Sequence, residues 1–238
     1  MYDYVSVHSV FASTFVSHVS FISTDADGEL TPMNLPMTAV LGRYDSRDPL
    51  PEDDGDDEEY YRQQVDLNRP MDLYLHGNAA MMLRRAVIKN GSMKVCVTAT
   101  KGMPRILALL SLLCTSHLWQ FCAKKLCTVD GVVLNFTPNG HSLNYRSAVI
   151  HGDAELVTSP GERRYSMHML TNHMIPRRWS NVNEVTPADM KSVQVLRVTI
   201  HSASGKTRAK NMGLADSLDI VTARDDIYTG VIPVYEVL

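Results

Sequence analysis

Short runs that alternate hydrophobic and polar residues recur along most of the chain. Such alternation puts apolar side chains on one face of a β-strand and polar side chains on the other. No regular succession of strand and helix, which would indicate a doubly wound parallel sheet, accompanies these runs. We therefore predict a mainly β (α+β), antiparallel fold with these strands: Val16–Ser23, Leu35–Leu41, Asp72–His76, Lys94–Thr100, Gly131–Phe136, Ser147–Val157, Val193–Ile200 and an edge strand at Val231–Val237.

Helices are few in this pattern. Residues 79–88 and 160–175 have helical composition, and Thr186 followed by Pro187 is typical of a helix start with a threonine cap. A further short helix fits Val5–Ala12. The predicted helices therefore flank a sheet and do not alternate with its strands.

Two segments do not fit the strand pattern. Residues 43–69 contain Pro, Gly and an acidic run in which seven of the eight residues from Glu52 to Glu59 are acidic, so we expect a disordered, solvated loop. Residues 101–128 insert a Leu- and Cys-rich stretch between two runs that would otherwise form a tight hairpin. We expect one domain, 1–238. We interpret 101–128 as an atypical insertion, which is either a translated intron or an additional helix lying over the rest of the fold.

Composition narrows the class of protein. At 238 residues and 45% hydrophobic the chain can bury a sizeable core, and a net charge of -3 without a basic stripe argues against a nucleic-acid binder. Four cysteines make no disulfide framework for this length, which favours a reducing, cytoplasmic setting. The start has no signal-peptide pattern, and no apolar run approaches the roughly 20 residues of a membrane span.

The most informative candidate chemistry lies in His141–Gly152, where polar residues directly precede an apolar strand. Asn144, Tyr145, Arg146 and Ser147 supply a planar cation, two hydroxyls and an amide. The arginine fork matches phosphate or carboxylate geometry, and a serine hydroxyl can add a further hydrogen bond. A turn that enters a strand with a solvated arginine is an equally good interpretation of this tetrapeptide.

Several segments, in order, resemble the FMN-binding split-barrel family related to pyridoxamine 5'-phosphate oxidase, in its flavin-nucleotide-binding or nitroimidazole-resistance-like branch. Each piece alone is weak, whereas their order over nearly the whole chain is specific. The matching pieces are Tyr2-Asp3, His18–Phe21, Leu73–Gly77, Val129–Leu134, His141–Gly152, Ile175–Trp179, Ala203–Arg208 and Gly230–Pro233.

The resemblance implies a six-stranded antiparallel split β-barrel with flanking helices, forming a homodimer with FMN at the subunit interface. Haem is a less favoured alternative cofactor, considered because some relatives carry a histidine at the position of His141. The cofactor-binding residues that it implies are His76, Gly77, His141, Asn144, Tyr145, Arg146, Ser147, Lys206 and Arg208.

The chain departs from the family where a serine and an arginine usually follow the His-Gly pair. Here Ala80 and Met81 occupy this region, so one phosphate anchor is missing and Arg84 or Arg85 would have to replace it. Taken alone, Ser204–Arg208 would be interpreted as a surface loop. Because the phosphate anchor near Ala80 and Met81 is missing, weak FMN affinity is an open alternative.

The function implied is an FMN-binding protein that acts as a flavin-dependent oxidoreductase on a small molecule, with no catalytic residue assigned. Two alternatives stay open. One is a non-catalytic flavin- or haem-binding module for storage, sensing or protection, and the other is a split-barrel scaffold without ligand. No metal site is expected, since His168 and His173 do not share a helical face and the cysteines lack paired spacing.

Overall fold

A computed structural model describes residues 3–24, 27–47, 65–77, 82–100, 129–192, 194–210 and 227–234. The chain divides into two compact units. The first unit comprises Met1–Ala99 and Ala148–Gly205, and the second comprises Thr100–Ser147 and Lys206–Leu238. The predicted single domain stays a prediction, and each unit is described by itself below.

Eight strands and four α-helices make up the described part of the chain. Two short 3-10 turns, Pro138–Gly140 and Trp179–Asn181, complete it. In chain order the elements are α1 (Tyr4–Phe11), β1 (Val16–Thr24), β2 (Leu30–Gly42), β3 (Asp72–Gly77), α2 (Met82–Asn90), β4 (Met93–Thr100), β5 (Val129–Leu134), β6 (Ser142–Leu156), α3 (Pro160–Met174), α4 (Pro187–Ser192), β7 (Gln194–Arg208) and β8 (Gly230–Pro233).

Six strands of the first unit close into a ring in the order β4-β1-β2-β3-β7-β6, because β4 also pairs with β6. The pairings with a resolved register are antiparallel, and Ser20 on β1 lies opposite both Asn34 on β2 and Cys96 on β4. The predicted mainly antiparallel fold with a few helices is confirmed, and the ring is consistent with the split-barrel fold.

The ring encloses the main core, because alternate side chains of each strand point inward. Val19, Val97 and Ile150 are among the fully buried residues, and α1 adds Phe11 to the same cluster. Close packing leaves no room beside Gly152 on β6, where an added Cβ would lie 2.2 Å from the carbonyl oxygen of Thr199. Glycine at this position therefore allows the backbones to approach.

Helix α3 covers the outside of the ring through a second cluster that includes Tyr74, Tyr165 and Met169. Its first turn brings a buried carboxylate, Glu162, to the Tyr74 hydroxyl at 3.1 Å and to an Arg197 nitrogen at 3.1 Å. Burial raises the pKa of Tyr74 above the ordinary tyrosine value. Since a buried charge is stable only when it is paired, these bonds fix where α3 can lie.

In the second unit, β5 pairs antiparallel with the first residues of β6 and with β8. The register on β6 shifts between Val129 and Gly131, which leaves Asp130 as an extra residue on β5. Such a bulge re-aims the side chains next to it.

The sequence located all eight strands, but it misjudged several ends. Strand β2 begins at Leu30, β6 begins at Ser142, and β7 continues to Arg208, so the expected loop at Ser204–Arg208 is part of a strand. The missed residues of β2 and β7 are mostly exposed and so show no clear alternation of buried and exposed positions. Pairing with β1 holds the added part of β2 as a strand, and pairing with β5 does so for the start of β6. Residues 48–64 of the expected acidic loop and all of 101–128 lie outside the described residues.

Two buried histidines make the fold sensitive to acid. His173 is buried and its Nε2 donates to the Thr14 carbonyl at 2.9 Å, and buried His8 contacts the Leu67 carbonyl through Nδ1 at 3.1 Å. Burial lowers the pKa of both His173 and His8. The unfolded chain therefore binds protons that the folded chain excludes, and stability falls as pH drops through the ordinary histidine range.

We expect the free energy of unfolding to fall between pH 7.5 and pH 5.5, with a contribution of about 1 kcal/mol from His173. His173→Gln keeps an N–H donor but cannot be protonated, so it should reduce the dependence on pH. Chemical denaturation of both proteins at the two pH values measures this. The control His18→Gln removes an exposed histidine, and an equal effect of the two variants would contradict the assignment.

Candidate functional site

Seven of the nine predicted cofactor-binding residues lie in the second unit. Asn144, Tyr145, Arg146 and Ser147 are on β6, with His141 just before it. Lys206 and Arg208 are at the end of β7. The remaining two, His76 and Gly77, end β3 in the first unit.

Within the second unit, Tyr145 and Lys206 are in direct contact. The Lys206 ammonium lies 5.5 Å from the centroid of the Tyr145 ring, which is a cation–π distance. Strand alternation places Ser147 on the same face of β6 as Tyr145, and Arg208 on the same face of β7 as Lys206. We name these four residues, two with hydroxyl groups and two cationic, the cationic cluster.

Arg208 contributes an unpaired donor to this region. Its Nε atom is buried and has no hydrogen-bond partner within the part of the chain that the structure describes. A buried N–H without a partner costs free energy, so a ligand that supplies an oxygen at this point would gain from binding there. The cationic cluster therefore has the donor chemistry that phosphate requires.

Arg146 points to the opposite face of β6 and already has a partner. Its Nε and one terminal nitrogen donate to the two carboxylate oxygens of Asp130, at 3.1 and 2.6 Å. The bulge at Asp130 places the carboxylate there, and both side chains are about two-thirds buried or more, with exposed fractions of 31% and 26%. The arginine fork is used within the chain, so Arg146 as a phosphate ligand stays a prediction.

Asn144 also has a structural partner. It is buried, and its side-chain amide donates to the Lys210 carbonyl at 2.8 Å while accepting from the Lys210 backbone N–H at 3.1 Å. This reciprocal pair fixes the chain just after β7 and so positions Lys206 and Arg208. Sequence reasoning missed Lys210 and Asp130, because neither pairing leaves a local signal in the sequence.

His141 caps the 3-10 turn that precedes β6. Its Nδ1 lies 2.9 Å from the Thr137 carbonyl oxygen, so Nδ1 carries the proton and donates. Nε2 is then the ring nitrogen left for a ligand, and the residue is exposed. Metal-ligating histidines commonly donate their other ring N–H to a carbonyl in this way.

In the first unit, His76 pairs across the sheet with Thr38 and with Val195. Desolvation by the surrounding strands lowers the pKa of His76, although the residue as a whole is exposed. Arg84 donates from Nε to the Gln194 side chain at 3.1 Å. Ala80 and Met81, where the family's anchor is missing, lie outside the described residues.

The described residues lack two features, a metal-binding cluster of side chains and a helix able to span a membrane. In the ranges that the structure describes, no group of three or more His, Cys, Asp or Glu side chains is arranged to hold a metal ion. Across those same ranges, every helix is too short or too polar to cross a membrane.

The chain is similar to known proteins in sequence over part of its length and in structure over most of it. The family model described as Pyridoxamine 5'-phosphate oxidase matches residues 119–207, which include the polar part of β6 and Lys206. The flavocytochrome Anf3 from Azotobacter vinelandii has a similar structure, with a TM-score of 0.60, 20% identity and coverage of 100% of this chain and 81% of that chain. The FAD and heme binding protein from Mycobacterium smegmatis gives a TM-score of 0.60 and 19% identity, covering 94% and 78% of the two chains. A search of curated protein sequences finds no significant match.

The protein thus shares the fold of these two solved structures, which at these identities is what the structural matches establish. Its resemblance to the pyridoxamine 5'-phosphate oxidase-related family, inferred above from short motifs, is confirmed by the match of the family model.

The pairing of Arg146 with Asp130 can be tested by a double-mutant cycle. Because the bond is bidentate and partly buried, we expect a coupling of about 1 kcal/mol in the free energy of unfolding between Arg146→Ala and Asp130→Ala. The control cycle uses Arg47 and Asp45, a bidentate pair with exposed fractions of 87% and 43%. That cycle should give no measurable coupling, and absence of coupling between Arg146 and Asp130 would rule out a structural role for their pair.

Proposed function

We propose that the protein binds a flavin, FMN in the first instance, and that the cationic cluster holds the flavin phosphate. The observation that carries this proposal is the buried Nε of Arg208, which has no hydrogen-bond partner among the described residues and lies on the strand face that also presents Lys206. Lys206 supplies a second cation, and Ser147 a hydroxyl. Tyr145, which already contacts the Lys206 ammonium, supplies an aromatic surface.

The family match and the fold support a flavin over other phosphorylated ligands. The match covers Tyr145, Ser147 and Lys206, and the two similar structures are named as a flavocytochrome and as an FAD and heme binding protein. A bound flavin supplies the electron-transfer chemistry, whereas the protein supplies binding and orientation. In this role the residues of the cationic cluster hold the phosphate, and none of them needs to exchange a proton.

We further propose that the protein works as a homodimer in the cytoplasm and passes electrons from its flavin to a small molecule. The ring leaves alternate residues of β1, β2 and β4 on its outside, as a surface for a second copy requires. Light scattering of the purified protein tests the dimer. Reoxidation of the dithionite-reduced flavoprotein by an added acceptor tests the oxidoreductase activity, and flavin that stays reduced with every acceptor would favour the non-catalytic alternative.

Lys206→Ala and Arg208→Ala should each weaken FMN binding by roughly 10- to 100-fold, since one charge-assisted hydrogen bond contributes roughly 1.5–3 kcal/mol. Quenching of FMN fluorescence on titration with protein measures the affinity. The control Arg47→Ala removes an exposed arginine outside the cluster and should bind as the unmodified protein does. Unchanged affinity in both cluster variants would remove these residues from the anchor, and absence of any FMN affinity in the unmodified protein would end the proposal.

A second candidate function, haem binding, is favoured by the state of His141. Because Nδ1 donates to the Thr137 carbonyl, Nε2 is the nitrogen available to a metal. Addition of haemin to the purified protein should then shift the Soret band to that of a histidine-ligated haem, and His141→Ala should abolish the shift. His201→Ala, which removes another exposed histidine, serves as the control. A Soret shift that survives His141→Ala would exclude this residue as the ligand.

A further inference from the structure

A groove of about 620 Å³ lies on the first unit, lined by residues of β1, β2, β4, β6 and β7. None of the predicted cofactor-binding residues lines it. We name it the outer groove and define it by Ile22, Pro32 and Met33 toward β2, and by Lys94, Asp153 and His201 toward β7. Its volume lies in the range of sites for small molecules.

The β7 end of the outer groove is polar, with one lysine, Lys94, beside one aspartate, Asp153. Asp153 accepts a hydrogen bond from His201 Nε2 at 2.8 Å, and its other carboxylate oxygen lies 3.5 Å from Lys94 Nζ. The bond from His201, followed by the charge of Lys94, lowers the pKa of Asp153. His151 lines the same end, so one carboxylate faces a lysine and two histidines.

Lys94 has donors to spare. An ammonium group carries three N–H donors, Asp153 takes one, and the Lys94 side chain is 90% exposed. The ion pair with Asp153 thus keeps Lys94 at the groove and leaves N–H donors of its ammonium group for a ligand. An anionic group placed here would receive charge-assisted hydrogen bonds from Lys94.

The β2 end is apolar and uncovered in the described part of the chain. Ile22 lies directly opposite Pro32 across the β1–β2 pair, and 50% of Ile22 is exposed. Met33 beside them is half-buried. Covering such side chains with an apolar ligand body gains free energy in proportion to the area removed from water.

We propose that the outer groove binds a small organic anion with an apolar body, whose carboxylate or sulfonate contacts Lys94 while its body covers Ile22 and Pro32. The two ends of one ligand then match the two ends of the groove. The proposal is independent of flavin binding, because it uses none of the residues of the cationic cluster.

The probe for this site is 1-anilinonaphthalene-8-sulfonate, an aromatic anion that fluoresces when bound. We expect saturable binding to the purified full chain with one site per chain. Lys94→Gln removes the charge and should weaken the affinity about fivefold or more. Ile22→Asn should weaken it as well, because it places an amide where the apolar body lies.

Two controls separate binding from effects on folding. Lys89→Gln removes an exposed lysine of α2 outside the groove and should leave the affinity unchanged. N-phenyl-1-naphthylamine has the same ring system without the sulfonate, so Lys94→Gln should weaken its binding much less. An equal loss for both probes would show that Lys94 acts through structure, and would overturn the proposal.

Competition with FMN, and probe binding measured as the dimer forms, complete the test of the outer groove. Unchanged affinity in both Lys94→Gln and Ile22→Asn overturns the proposal, as does displacement of the probe by FMN at the concentrations at which FMN binds. Probe binding that falls as dimer forms would assign the groove to a second copy of this chain instead. Binding that persists with saturating FMN and weakens in both groove variants supports a separate site for an organic anion.

Discussion

Strand alternation in a closed antiparallel ring is the constraint on which the other features of this structure depend. Since β4 pairs with both β1 and β6, the ring has an inside, and every second side chain must point into it. Val19 and Val97 occupy that interior, while Ser20 and Cys96 next to them face outward. The polar groups available for chemistry are therefore those that the alternation assigns to the outside.

Pairing between charged groups then decides which outward residues can act on a ligand. Arg146 is paired with Asp130, and Arg197 with Glu162 and Glu155, so both guanidinium groups already have partners within the chain. Lys206 and Lys94 differ from these arginines. The first contacts an aromatic ring and the second an aspartate that it shares with a histidine, and each ammonium keeps donors for a ligand.

The two proposed sites lie in separate units of the chain and rely on the same kinds of contact. Each combines cations fixed by a neighbour with an apolar or aromatic surface, which is the combination that binds amphipathic anions. The cationic cluster is suited to a phosphate because the buried Nε of Arg208 meets no acceptor within the described ranges of the chain. The outer groove is suited to a single carboxylate or sulfonate, because one lysine faces it beside apolar side chains.

The sequence by itself determined the existence of the strands, the mainly antiparallel class and the family resemblance, because alternation and short motifs are local properties. Because the strand begins at Ser142 and not at Ser147 as predicted, it took the structure to place Tyr145 and Ser147 on one strand face and Arg146 on the other. Only the tertiary structure decided that Asp130 binds Arg146, that Lys206 contacts Tyr145 and that Asn144 binds the backbone of Lys210. Partners in these contacts are 16 to 66 residues apart, and strand pairing and a bulge bring them together. No local pattern encodes such distances, so the sequence alone could not show that the guanidinium of Arg146 is already bonded to Asp130 within the chain.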